Sequence, residues 1–94
     1  MNLFDRIRAW ADSKRIPKDE TDVHRFAKVA HAMDELMLGF VQHDRAQALD
    51  GLGNLVVELT LFATHMGLPI ETAIHEAWTK RLRAEADAAR KAAA

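Results

Sequence analysis

Apolar residues recur every three or four positions through four stretches of the chain, and proline, glycine or charged clusters separate one stretch from the next. In the first, Leu3, Phe4, Ile7 and Trp10 share one helical face, and Asn2 is placed to cap it. The charged connector KRIPKDE follows, with Pro17 inside it. Thr21 then caps a second helix, and Asp22 lies near its positive end. Phe26, Val29, Met33, Leu36, Met37 and Phe40 keep helical spacing along it. Asp44 caps a third helix, where Leu49, Leu52, Val56, Leu59, Ala63 and Met66 recur every three or four residues. Gly67 ends that helix, because glycine tolerates the left-handed conformation found at helix ends. After Pro69 a fourth helix carries Ile70, Ala73, Ile74, Ala77 and Trp78. Beyond it, residues 84–94 hold helix formers without large apolar side chains, which predicts a helical tail running into solvent and fraying.

The segment VVEL is strand-prone in isolation, but the stripe around it has helical period, and that decides its class. The pattern predicts an all-α four-helix bundle in a single domain over residues 1–94. The short link at His43 and Asp44 makes the second and third helices antiparallel neighbours. A chain of 94 residues that is 49% hydrophobic has ample apolar material for a core. Its size nevertheless limits how much surface it can bury alone. That combination predicts a core completed by oligomerisation, as a homodimer or tetramer. Thirteen basic residues balance fourteen acidic ones, for a net charge of -1, which argues against nucleic acid as partner. Without cysteine there are no disulfides and no thiolate metal ligands. The charged start MNLFDRIRAW lacks the apolar core of a signal peptide, and no apolar run approaches the ~20 residues of a membrane span. The expectation is a soluble cytoplasmic protein with no membrane partner.

Polar chemistry concentrates where the second and third helices face each other. A turn at residues 42–44 brings His31 opposite Asn54, Glu35 opposite Asp50, and Lys28 opposite Glu58. Residues four apart share a helix face, so these pairs form a polar seam rather than scattered surface charge. Gly51 and Gly53 are costly inside a helix, and close helix approach beside this seam is the expected compensation. They do not make a phosphate loop, since no lysine and no preceding strand accompany them.

In FAKVAHAMDEL and LDGLGNLVVELTLFATHMGLPIETAIHEAW, together with the leading LFDRIRAW, the chain resembles the MazG-like nucleotide pyrophosphohydrolases, in particular their short phage and bacterial members. The resemblance spans roughly Leu3 to Arg83. The first stretch is similar to the family pattern Phe-x-Lys-Leu-x-Glu-Glu-x-x-Glu-Leu, and the second to Asp-x-x-Gly-Asp followed by an apolar helix. It implies that carboxylates on two facing helices hold Mg²⁺, which binds oxygen ligands and substrate phosphates and activates water. Nucleoside triphosphates are thereby split into monophosphate and pyrophosphate. By this correspondence Glu35 and Asp50 are the remaining catalytic carboxylates. The two adjacent family glutamates become His31 and Ala32, and the second-motif aspartate becomes Asn54. The Asn and Lys often found on the family's last helix are not matched cleanly by Thr79 and Leu82.

Those replacements remove up to three negative charges from a metal site. Mg²⁺ dehydrates reluctantly and needs a strong oxygen field. Imidazole instead favours zinc and other transition metals. Glu35 and Asp50, with His31 and Asn54, therefore predict a weakened Mg²⁺ site and weak or absent catalysis. A changed site of His31, Glu35, Asp50 and Glu58 holding Mn²⁺ or Zn²⁺ is the sharper alternative. The plainer one is a neutral His31–Asn54 hydrogen bond beside a Lys28–Glu58 ion pair. Lys28, Trp78, Lys80 and Arg81 are the substrate-binding candidates, set against a solvated helix end for Lys80 and Arg81 and a core or subunit contact for Trp78. The competing functional class is a non-catalytic module that binds a nucleotide or another protein.

Overall fold

A computed structural model describes residues 2–13 and 20–93; the connector expected around Pro17 falls outside the described residues. Among the described residues there are four helices, α1 (Leu3–Ser13), α2 (Asp22–Val41), α3 (Arg45–His65) and α4 (Ile70–Ala93), and no strand. The protein is therefore all-α. None of these helices is long and apolar enough to cross a membrane.

The local signals act where the sequence places them. Asn2 Oδ1 accepts from the Asp5 backbone N–H at 2.9 Å, and Thr21 Oγ1 accepts from His24 N–H at 3.1 Å. Asp44 serves two helices at once. Its backbone N–H donates to Gly39 O at 2.9 Å and closes α2, while its carboxylate accepts from Gln47 N–H at 3.1 Å and opens α3. The closure requires His43 to adopt a left-handed backbone, with φ 55°. Such a conformation is uncommon for a residue with a side chain, although histidine tolerates it better than most. Gly67 makes the matching turn at the end of α3 with φ 73°, and Leu68 N–H donates to Ala63 O at 2.8 Å.

The helices α2 and α3 form an antiparallel hairpin that is the main packing unit. Its seam is closest at two glycines. A Cβ built on Gly39 would sit 2.4 Å from Ala48 N, and one on Gly51 would sit 2.5 Å from Leu36 N. The backbones meet there without side chains between them. Gly53 has nothing within 4 Å of its would-be Cβ, so only Gly51 of the two answers to the expected close approach. Beside the glycines, Val29 and Ala32 are buried in the seam. Toward the open end of the hairpin Phe26 meets Phe62 edge-on at 5.5 Å. There His65 Nε2 lies 2.7 Å from Asp22 Oδ1, linking the end of α3 to the start of α2.

The other two helices flank α3. Thr60, fully buried, and Thr64 turn their hydroxyls onto the Val56 and Thr60 carbonyls, so their polarity is satisfied within α3. Arg8 ties α1 to α4 by two parallel hydrogen bonds to Glu71, at 2.8 and 2.6 Å, and also donates to Asp5 at 2.6 Å. Hydrogen bonding from Arg8 is the main reason the Glu71 carboxyl is lowered from 4.5 to about 2. The guanidinium in turn is held more firmly protonated, chiefly by Glu71 and then by Asp5.

The assembly is open. The radius of gyration is 17.1 Å, against about 12 Å for a compact domain of this length. Trp10 and Trp78 are both more than half exposed, so neither is a core residue of the single chain. The tail expected over residues 84–94 is helical through Ala93, and its described residues are exposed.

Candidate functional site

One face of the hairpin carries a groove of about 580 Å³, within the size range of small-ligand sites. On α2, His24, Lys28, His31 and Glu35 succeed one another at helical spacing along its wall, with Ala27 and Ala32 between them. Asn54 and Glu58 close it from α3. Four of the sequence candidates, Lys28, His31, Glu35 and Asn54, are thus brought together. Asp50 is not: the backbone of Glu35 abuts Gly51, so Asp50 is at the expected height, but its exposed side chain is outside the groove lining. Trp78, Lys80 and Arg81 are exposed on α4 and also do not line it.

Two expected pairings are replaced. Glu58 was expected to meet Lys28, but its Oε2 accepts from Arg25 Nη2 at 2.6 Å. Arg25 is 3% exposed and also reaches Glu20, at 3.3 Å. It shares the seam stripe with Val29 and Ala32 and therefore projects between the helices, whereas Lys28 is turned toward the groove. Burying a guanidinium is costly without a close counter-charge, and Glu58 supplies it. Among the described residues the Arg25 Nε–H has no partner. The second replaced pairing is His31 with Asn54. Instead His31 Nε2 lies 3.0 Å from Glu35 Oε1, one turn along the same helix.

These contacts fix the electrostatic character of the groove. Its two carboxylates each have a neighbour: Glu58 is bound to buried Arg25, and Glu35 lies against His31. Lys28 has no ion-pair partner among the described residues and lines the opening. A dication requires several convergent anionic oxygens. Here Asp50 is outside the groove and Glu58 is already paired, leaving Glu35 beside a histidine and an amide. No three histidine, aspartate or glutamate side chains converge on one point among the described residues. The arrangement does not fit Mg²⁺, and no hydrolytic step through a metal follows from it.

Periodicity along the chain does not by itself mark Arg25 as the partner of Glu58. Its available signal was a cation on the otherwise small or apolar stripe of Val29, Ala32 and Leu36, with Glu20 nearby and Glu58 on the facing helix. Comparison with protein-family models, with curated proteins and with solved structures gives no match.

Proposed function

We propose that this chain is a MazG-like helical module that holds a nucleotide in the α2–α3 groove without appreciable hydrolysis. The observation supporting the reading is the charge arrangement of the groove. Both of its carboxylates lie against cationic or hydrogen-bonding groups, while Lys28 is left for an incoming phosphate. His24, whose Nε2 lies 3.3 Å from Glu20 Oε1, adds its other ring nitrogen on the same wall, and Asn54 adds an amide able to donate and accept toward a base or sugar. Ala27 and Ala32 leave room beside them. What a pyrophosphohydrolase of this kind would require is a cluster of carboxylates on a dication, and the His31 and Asn54 positions withhold it.

Thermal shift and calorimetry with nucleoside mono- and triphosphates, with and without Mg²⁺ or Mn²⁺, test binding. A pyrophosphate-release assay on the same samples tests turnover. The expected result is metal-independent binding, weakened about tenfold or more by Lys28→Ala, with negligible pyrophosphate release. Restoring carboxylates by His31→Glu, Ala32→Glu and Asn54→Asp together is expected to introduce metal-dependent release. Robust release by the unmodified protein overturns the silent-site reading. Failure of every nucleotide to bind overturns the ligand class.

A further inference from the structure

Arg25 and Glu58 meet behind the wall of the groove on unequal terms. Glu58 lines the groove and its side chain is a quarter exposed, while Arg25 is buried in the seam. The guanidinium is a planar fork of N–H donors, and most of that capacity is little used. Nη2 makes one short bond, 2.6 Å, to Glu58 Oε2. Nη1 reaches Glu20 only at 3.3 Å, and Glu20 divides its carboxylate between Arg25 and His24, the latter also at 3.3 Å. The buried Nε–H has no acceptor among the described residues. Nε–H and one Nη2–H lie parallel on the same edge of the guanidinium, and such an edge grips two oxygens of a single oxyanion. Glu58 occupies one half of that edge and leaves the other half open.

We infer that Arg25 is a latent phosphate ligand of the groove, with Glu58 as the internal counter-ion that gives way to the incoming group. The inference rests on the groove reading above, in which Lys28 receives a phosphate. Charge is the first argument. A buried guanidinium requires an anion beside it. A phosphate group carries more charge than a carboxylate, and its oxygens can take Nη2–H and Nε–H together, so the exchange keeps Arg25 paired and satisfies the orphaned donor. Position is the second. Lys28 follows Arg25 by three residues on α2, which makes their Cβ atoms neighbours about 5–6 Å apart on the helix surface. Lys28 already lines the opening, so a phosphate or diphosphate group entering there meets Lys28 first and Arg25 behind it. The third argument is that the gate can move. Glu58 already reaches the groove, so its carboxylate can turn into solvent still ionised, without burying a charge elsewhere. In this arrangement Glu58 keeps the cation paired until a stronger anion replaces it.

Calorimetry and arginine-detected ¹H–¹⁵N NMR test the exchange without divalent metal, with inorganic pyrophosphate in one arm and the four ribonucleoside triphosphates in the other. In the unmodified chain the Arg25 Nε–H resonance, assigned by its loss in Arg25→Lys, is expected to shift on saturation and to exchange more slowly with water. Glu58→Gln keeps an amide oxygen that accepts from Arg25 but removes the competing charge, and is expected to tighten pyrophosphate binding about tenfold or more. Glu35→Gln removes the groove's other carboxylate and is expected to tighten it by about threefold at most. Adding Arg25→Lys to Glu58→Gln is expected to abolish the gain. The NMR measurement needs no variant beyond the assignment, so a loss of fold in Glu58→Gln leaves the test intact. Equal gains from Glu58→Gln and Glu35→Gln overturn the inference. Nucleotide binding with an unmoved Arg25 resonance also overturns it and leaves the nucleotide reading standing. Pyrophosphate binding that moves Arg25, with no nucleotide bound, supports the inference and overturns that reading; no binding in either arm overturns both.

Discussion

Replacing Gly51 with alanine places a methyl carbon 2.5 Å from Leu36 N and 2.6 Å from its Cα. Both atoms belong to backbone inside a helix, so neither can swing aside. To reach ordinary contact at 3.4 Å the two helices must separate by roughly 1 Å, enough to forfeit about a quarter to a half of each dispersion well along the seam. Overpacking of this kind costs about 1–3 kcal/mol, and backbone rigidity puts Gly51 toward the upper end. The higher helix propensity of alanine returns about 1 kcal/mol, for a net loss of about 1–2 kcal/mol. Gly53 on the same helix provides the control, because its added methyl meets nothing within 4 Å. Gly53→Ala keeps the full propensity gain of about 1 kcal/mol. In thermal melts followed by circular dichroism at fixed chain concentration, Gly53→Ala is expected to raise Tm by about 4–8 °C and Gly51→Ala to lower it by about 4–16 °C. Equal stabilisation by both alanines would refute the close-approach argument, since propensity alone would then account for the two glycines.

Arg25→Met leaves Glu58 and Glu20 without their buried cation and is expected to cost about 3–5 kcal/mol in urea unfolding; adding Glu58→Leu is expected to recover much of that loss, and a single variant of wild-type stability contradicts the pairing. For Glu71, a folded pKa of about 2 against an ordinary 4.5 means its contribution is fully present above pH 4.5 and is lost as pH falls through 2. Carboxyl-detected NMR of Glu71 is expected to show a midpoint near 2 that returns toward 4.5 in Arg8→Gln, and a normal midpoint in the unmodified protein contradicts the α1–α4 clasp.

Local rules were legible because they depend on neighbours in sequence. Asn2, Thr21 and Asp44 cap their helices from adjacent positions, and Gly67 supplies its left-handed turn without help from elsewhere. His43 has the same turn conformation but no glycine to announce it; the demand comes from Gly39 and Asp44 having to meet. The distinction between Gly51 and Gly53 was equally hidden. Two residues of helix rotate a position by about 200°, which puts one against Leu36 and the other into open space. The antiparallel hairpin and the gathering of His31, Glu35 and Asn54 were readable from periodicity and turn length. Which cation Glu58 chooses was not. Lys28 and Arg25 both lie within reach along the helix, and the choice follows from which stripe enters the seam.

The three-residue span between α2 and α3, residues 42–44, has a kinetic consequence. The closest helix approaches, Gly39 to Ala48 and Leu36 to Gly51, join residues near in sequence, so little loop-closure entropy opposes their formation. The hairpin is therefore the natural nucleus, zipping from the turn toward Asp22 and His65, with low contact order favouring rapid collapse. Docking of α1 and α4 onto α3 is expected to follow, with the Arg8–Glu71 clasp, spanning 63 residues, closing late. Conservative truncations near the turn should slow folding, whereas those at the clasp should mainly speed unfolding.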